Sequence, residues 1–307
     1  MRLVFCGTPD FAVVVLAALA ASGHEVAAVV TRPDRPKGRG GKPAPSPVKQ
    51  WACAHGLPVG QTQPRDPAFL PWLTSQKPEV LVVAAYGCLL PEAVLRAVPA
   101  VNVHASLLPA YRGAAPVQRA ILNGETVTGV TTMYMDAGLD TGDILLQETL
   151  PVGEEEDAGS LSGRLARSGA ALLLRTLAYL AAGTCPRLAQ DETKVSYAPP
   201  LTPADEVIRW EEAAGAVVNR VRALSPRPGA YTLWQGRRLK IWRARPGPRI
   251  AGAIPGLVLR AACGEVLVGA GEEGTVAVLE LQAEGGKRLP ADAFLRGSVL
   301  GEGARLG

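Results

Sequence analysis

The chain has 307 residues, 48% of them hydrophobic, and carries a formal net charge of +4. That length exceeds what one core usually fills, so about two globular domains are expected. No stretch approaches the roughly 18 uninterrupted apolar residues of a membrane span, and the start MRLVFCGTPDF reads as a strand and turn rather than a secretory leader, which makes the cytoplasm the expected compartment.

RLVFCG reads as a buried strand, and TPDFAVVVLAALAASGH follows with Thr8 as N-cap, Pro9 at the first helical position and Gly23 as the stop. EVAAVVT is a second strand, so the opening is the β-α-β unit of a doubly wound parallel sheet. Its first turn, C-G-T-P-D-F, has one glycine where a dinucleotide site needs G-x-G-x-x-G, which counts against NAD or FAD. Residues 31–49 then gather Arg32, Arg35, Lys37, Arg39, Lys42 and Lys49 against Asp34, with prolines and glycines that predict an irregular loop. Such a loop is either a solvated connection or an arm that binds phosphates.

Helices are predicted to start at Ser46-Pro47 and at Asp66-Pro67, and EVLVVAA (79–85) is a third strand. The turn after it, Tyr86-Gly87-Cys88-Leu89-Leu90-Pro91, lies at a strand's carboxyl end, where open α/β sheets bind ligands. AVNVHA (100–105) is the fourth strand, leading into SLLPAYRG and a helix near 115–123. TGVTTMYMD and DILLQETL read as further strands around the AGLDTG turn, and residues 157–182 form a long helix that closes the first domain. From Cys185 to about Pro203 periodicity fails and a linker is predicted. A helix over 211–224 and five short strand-like runs follow, which suggests a small barrel or sandwich. Between Arg209 and Arg249 ten Lys or Arg face two Glu, and the alternation Arg238-Leu239-Lys240-Ile241-Trp242-Arg243 puts bases on one strand face. That face is either an ordinary solvated one or a nucleic-acid contact, and a second basic region in the same chain favours the latter.

Asn102 and His104 are two residues apart in a strand, so they project from the same face. Asp140 is placed to join them from a later loop. A histidine in an apolar run is also compatible with a hydrogen-bonded core role, and spacing alone does not decide between them. Ser106 lacks the G-x-S-x-G elbow of a nucleophile. Cys6, Cys53, Cys88, Cys185 and Cys263 are odd in number and never form C-x-x-C, so neither zinc nor a disulfide framework is expected.

Six blocks occur in order: GTPDF (7–11), PDRPKGRG (33–40), SPVK (46–49), AAYGCLLP (84–91), NVHASLLPAYRGAAPVQRAI (102–121) and MDAGLDTGDIL (135–145). Together with SYA-P-x-L near 196–201, they resemble the methionyl-tRNA formyltransferase family, strongly in the first domain and loosely after about 215. The resemblance implies a Rossmann-like, mainly parallel α/β sheet over 1–188, a linker over 189–205 and an OB-like β-barrel that binds tRNA over 206–307. It implies transfer of a formyl group from 10-formyltetrahydrofolate to the amino group of initiator methionyl-tRNA, without a metal, by a chain expected to be a monomer. It assigns catalysis to Asn102, His104 and Asp140. Folate binding falls on Ser106, Leu107, Leu108 and Pro109 and on the turn Tyr86, Gly87, Cys88, Leu89 and Leu90. Contacts to tRNA fall on the loop of Arg35, Lys37, Arg39 and Lys42.

Cys88 stands where the family usually has a larger aliphatic residue, and the divergent C-terminal strands identify no tRNA contacts. The Asn-x-His-x-Ser-Leu-Leu-Pro block is shared with enzymes that formylate amino sugars or a ribonucleotide amine, so it reports the donor and the chemistry. The two basic regions point to tRNA as acceptor. An RNA-binding protein with a dead site is a third reading, against which the intact trio argues.

Overall fold

A computed structural model describes residues 1–37 and 42–307. Arg39, which the resemblance places against tRNA, lies outside the described residues. Two compact units are built from interleaved segments. The first comprises Met1–Pro116, Val127–Pro151 and Ser162–Ala198; the second comprises Val117–Thr126, Val152–Leu161 and Pro199–Gly307.

The first unit begins with β1 (Arg2–Gly7), α1 (Asp10–Ala20) and β2 (Glu25–Val30). Next come a short hairpin of β3 (Arg35–Lys37) and β4 (Lys42–Ala44), then α2 (Pro47–Ala54), β5 (Val59–Gly60), α3 (Phe69–Ser75) and β6 (Val80–Ala84). The chain continues through α4 (Glu92–Ala97), β7 (Ala100–His104), β8 (Arg112–Gly113), α5 (Pro116–Leu122), β9 (Val127–Tyr134), β10 (Ile144–Pro151), α6 (Ala158–Ala181) and β11 (Tyr197–Ala198).

Seven strands form one sheet in the order β10-β9-β7-β6-β1-β2-β5. The five from β5 to β7 run parallel, and β9 and β10 add antiparallel. Strand order reverses between β1 and β6, so the carboxyl ends of those strands open the crevice in which such sheets hold ligands. Alternation of side chains puts Val101 and Val103 of β7 with Ala12, Leu16, Leu173 and Leu177 on the face covered by α1 and α6. Val4, Cys6, Leu81 and Val83 pack with Phe69, Leu73 and Val94 on the other. Ala100 belongs to this second face, so Asn102 and His104 continue its row beyond the helices' apolar cover.

Two local expectations need correction. Pro9, not Thr8, is the N-cap of α1, because the Thr8 hydroxyl donates to the Tyr86 carbonyl at 3.1 Å and ties the β1 turn to the β6 turn. The helix ends with Ala21 as its C-cap, ahead of Gly23. Residues 31–49 are not irregular throughout. Pro36 and Pro43 face each other in the β3–β4 hairpin, a two-stranded edge position where a missing N–H is tolerated. Lys49 is spent inside the fold: its Nζ binds Asp34 at 2.8 Å and Gln61 at 2.8 Å, and Gln61 also donates to the Arg32 carbonyl.

The second unit carries α7 (Ala214–Leu224), β12 (Ala230–Trp234), β13 (Arg237–Pro246), β14 (Val258–Ala262), β15 (Glu265–Gly269), β16 (Thr275–Ala283), β17 (Leu289–Pro290) and α8 (Ala291–Arg296). Its sheet runs β12-β13-β16-β15-β14, all antiparallel, with β17 also on β16. Val217, Val221 and Leu224 of α7 pack with Leu239, Ile241, Val266 and Val278. Leu239 and Ile241 are buried while Arg238 and Lys240 turn outward, as the alternation predicts. Among the described residues no helix is long and apolar enough to cross a membrane.

Candidate active site

His104 ends β7, where its backbone pairs with Thr131 of β9, and Asn102 pairs with Met133 one step back. Both are buried, at 6% and 8% exposure. Buried polar groups must be held by partners. His104 Nε2 lies 3.0 Å from the Tyr111 carbonyl, and because a carbonyl only accepts, Nε2 carries the proton. The other ring nitrogen, Nδ1, faces Asp140, whose Oδ2 is 3.7 Å away. That gap is too long for a direct hydrogen bond.

Asp140 sits at φ +54°, a left-handed conformation that costs an ordinary residue roughly 1–2 kcal/mol. Its carboxylate Oδ2 accepts the Gly113 N–H at 2.9 Å. Its carbonyl and that of Gly142 both accept from Gln190 Nε2, at 2.8 and 2.7 Å. Gly142 must be glycine, since a Cβ there would lie 1.9 Å from the Tyr134 carbonyl oxygen. Gly113, at φ +125°, leaves no room either: its Cβ would meet the Ala198 oxygen at 2.7 Å. Neighbouring Asp143 pairs with Arg187 and accepts the Tyr134 N–H on its carbonyl, so it braces the turn.

Gln190 is itself oriented. Its Oε1 accepts from Arg112 Nε and Nη2, and Arg112, only 2% exposed, also binds Glu192. That guanidinium holds the Glu192 carboxyl below its ordinary value. The backbone beside it is stitched by Arg112 N–H to Ser196 O and by the β8–β11 pairing.

The loop Ser106–Pro109 is anchored on the sheet. The Ser106 hydroxyl donates to Ala110 O at 2.6 Å. Thr131 Oγ1 donates to Ser106 O and accepts the Leu108 N–H, while Gln147 Nε2 donates to Leu108 O. Leu108 packs with Met133 and Ile144, Leu107 and Pro109 are partly exposed, and Leu108-Pro109 is cis.

The turn after β6 alternates: Ala85, Gly87 and Leu89 are exposed, while Tyr86 and Leu90 are buried. Tyr86 thus offers the crevice its backbone only, and burial pushes its phenol above the ordinary value. Burial likewise raises the Cys6 thiol beneath it. Gly87 takes φ +72°, which lets its backbone turn outward beside the Arg32 guanidinium.

The structure therefore brings Asn102, His104 and Asp140 to one edge, with the Tyr86–Leu90 turn and the Ser106–Pro109 loop rising from neighbouring strand ends. Arg35, Lys37 and Lys42 are placed in the β3–β4 hairpin. Periodicity pointed to neither Gln190 nor Arg112. Gln190 lies in the aperiodic stretch after α6, and Arg112 in the two-residue strand β8, too short for its burial to leave a sequence signal.

Comparison with known proteins defines the class first. Residues 1–177 match the family described as Formyl transferase, and residues 200–299 match the formyl transferase C-terminal domain. The chain is 51% identical over 311 residues to the methionyl-tRNA formyltransferase of Moorella thermoacetica, covering 100% of this chain and 99% of that one. It is 50% identical over 310 residues to that of Solibacter usitatus, with the same coverage. The chain therefore belongs to the formyl transferase family and, within it, to the methionyl-tRNA formyltransferases.

Solved structures share the fold at low identity. A sugar 3N-formyl transferase, WlaRD, solved in the presence of dTDP and 5-N-formyl-THF, superposes with a TM-score of 0.67 at 16% identity, covering 91% of this chain and 97% of that one. HypX from Aquifex aeolicus, solved with tetrahydrofolic acid, gives 0.68 at 19%, covering 95% of this chain and 46% of that one.

Proposed function

We propose that this chain moves the formyl group of 10-formyltetrahydrofolate to the α-amino group of methionine esterified to initiator tRNA, acting as a cytoplasmic monomer. The observation that carries the reading is the convergence of Asn102, His104 and Asp140 at one sheet edge in a chain related end to end to methionyl-tRNA formyltransferases.

The crevice suits a flat folate ring. Ala85, Gly87 and Leu89 present open backbone and apolar surface, and Leu107 adds a further partly exposed apolar group. Tyr86, Gly87, Cys88, Leu89 and Leu90 act through this turn, and Ser106, Leu107, Leu108 and Pro109 through the loop beside it. The bound donor supplies an activated formyl carbon. When the neutral amine attacks that carbon, negative charge develops on the formyl oxygen and the amine sheds a proton; the tetrahedral centre then collapses with cleavage of the C–N10 bond, and N10 leaves with a proton as tetrahydrofolate.

Asn102 supplies an amide NH₂ donor for the charge. His104 keeps Nε2–H on Tyr111 and uses Nδ1, which takes the amine's proton and returns it to the departing N10. Asp140, with its Oδ2 3.7 Å from that nitrogen, orients the imidazole and shares the relay of the amine's proton.

For the acceptor, Arg35, Lys37, Arg39 and Lys42 supply phosphate-binding charge, and Lys49 anchors the chain before Arg35 through Asp34. The test supplies 10-formyltetrahydrofolate with charged initiator tRNA, charged elongator tRNA or an amino-sugar nucleotide. Formylation of the initiator alone is expected; formylation of the sugar amine and not the tRNA overturns the reading.

A further inference from the structure

We infer that Gln190 is a positioning residue for the formyl transfer, and that the segment 188–198 acts as a brace for the Asp140 loop. The inference rests on the catalytic role proposed for Asp140. One amide nitrogen reaches two successive exits of the turn, the carbonyls of Asp140 and Gly142, at 2.8 and 2.7 Å. These are the carbonyls on either side of Thr141, so both ends of the segment that carries the carboxylate are held by a single side chain.

The amide cannot rotate without loss. Its oxygen is gripped by Arg112 Nε and Nη2, at 3.1 and 2.8 Å, and a guanidinium offers only donors, so the oxygen must face Arg112 and the nitrogen must face the turn. Arg112 is buried and fixed in its turn by Glu192. From the next residue, the Gly113 N–H donates to the Asp140 carboxylate. The Arg112–Gly113 pair therefore fixes both halves of Asp140, its side chain directly and its main chain through Gln190.

The backbone of 188–198 is pinned at both ends. Leu188 exchanges two hydrogen bonds with Ile144, at 2.8 and 2.9 Å, and Ser196 O and Ala198 O accept from Arg112 and Ala115. Held this way, Asp140 keeps a left-handed φ of +54° with its carboxylate 3.7 Å from His104 Nδ1. Misplacement of a reacting group by about 1 Å costs on the order of 10²-fold in rate.

Two substitutions test this. Gln190→Glu keeps an acceptor for Arg112 but has no hydrogen to give the two carbonyls, and Gln190→Met removes both functions at similar volume. Steady-state kinetics on the full-length enzyme with charged initiator tRNA, thermal midpoints and donor binding are measured for each, with Asp140→Asn alongside. We expect both Gln190 variants, assayed well below their thermal midpoints, to lose about 10-fold or more in kcat with KM for both substrates within about 2-fold, while Gln190→Met also loses a few degrees of midpoint because the Arg112 donors are left unpaired. Wild-type kcat in Gln190→Glu overturns the inference. So does a loss confined to KM, or a kcat loss that disappears well below the variant's thermal midpoint, which is the mark of mere folding support. Full turnover by Asp140→Asn would instead remove the catalytic reading itself, a failure distinguishable from that of the brace.

Discussion

Asn102, His104 and Arg112 are each under a tenth exposed, and the last two are held by named partners on neighbouring loops. Arg243 of the basic strand β13 is 61% exposed and pairs with the similarly exposed Glu155. Lys240 rests over the Trp242 ring, and Arg238 over Tyr231. A buried polar group loses its water and must be satisfied by fixed partners, which makes its position definite. An exposed ion pair is worth about 0–1 kcal/mol and breaks readily when a phosphate arrives. The sheet edge is thus built for placement of atoms, and the basic surfaces for adaptable capture of charge.

The sharpest way to break this contrast is at the edge. Asn102→Ala and Asp140→Asn are expected to lower turnover by on the order of 10²-fold or more with the fold intact, measured as initial rates at saturating substrates. Near-normal turnover in both would leave the edge no more special than the strand face.

The basic residues between 35 and 42 come next. Arg39→Ala is expected to raise KM for charged initiator tRNA about 10-fold and spare donor binding, and that KM should climb steeply with salt as phosphate contacts release counterions. Equal loss for both substrates would remove the tRNA role of Arg39.

Smaller effects concern stability. Gly113→Ala forces a Cβ against the Ala198 oxygen and a disfavoured φ, so a fall of a few degrees in thermal midpoint is expected by calorimetry. An unchanged midpoint would show that the β8–β11 contact yields freely.

The mildest is an acid effect. Arg119 beside Asp205, with the Thr202 N–H and hydroxyl helping, lowers that carboxyl from its ordinary value near 3.8 to about 2. A depressed folded value adds stability that is fully present above about 4 and lost as pH falls towards about 2. Arg119→Met should therefore flatten the pH dependence of unfolding in that window, read from denaturant midpoints. An identical slope in both proteins would show that the pair carries none of it.

Much of this was legible in the sequence, for physical reasons. The strand Ala100–His104 announced itself by its apolar run, and period two alone put Asn102 and His104 on one face. The alternation of Arg238 to Ile241 likewise gave the sides of β13, but a register shift at Arg243 turns that residue outward against the alternation. Loops hid the rest. Pro36 and Pro43 argued for irregular chain and instead sit opposite one another in a hairpin. Thr8 has the chemistry of a helix cap, and only the fold reveals that Tyr86 claims its hydroxyl. Gln190 and Arg112 work through partners about 50 and 78 residues away, a separation that no local pattern records.

The most direct measurement is single-turnover formylation of charged initiator tRNA by His104→Ala against the wild type, with donor and enzyme saturating. If His104 Nδ1 and Asp140 handle the amine's proton, product forms on the order of 10²-fold more slowly while donor affinity is unchanged. A single-turnover rate equal to that of the wild type would contradict the account.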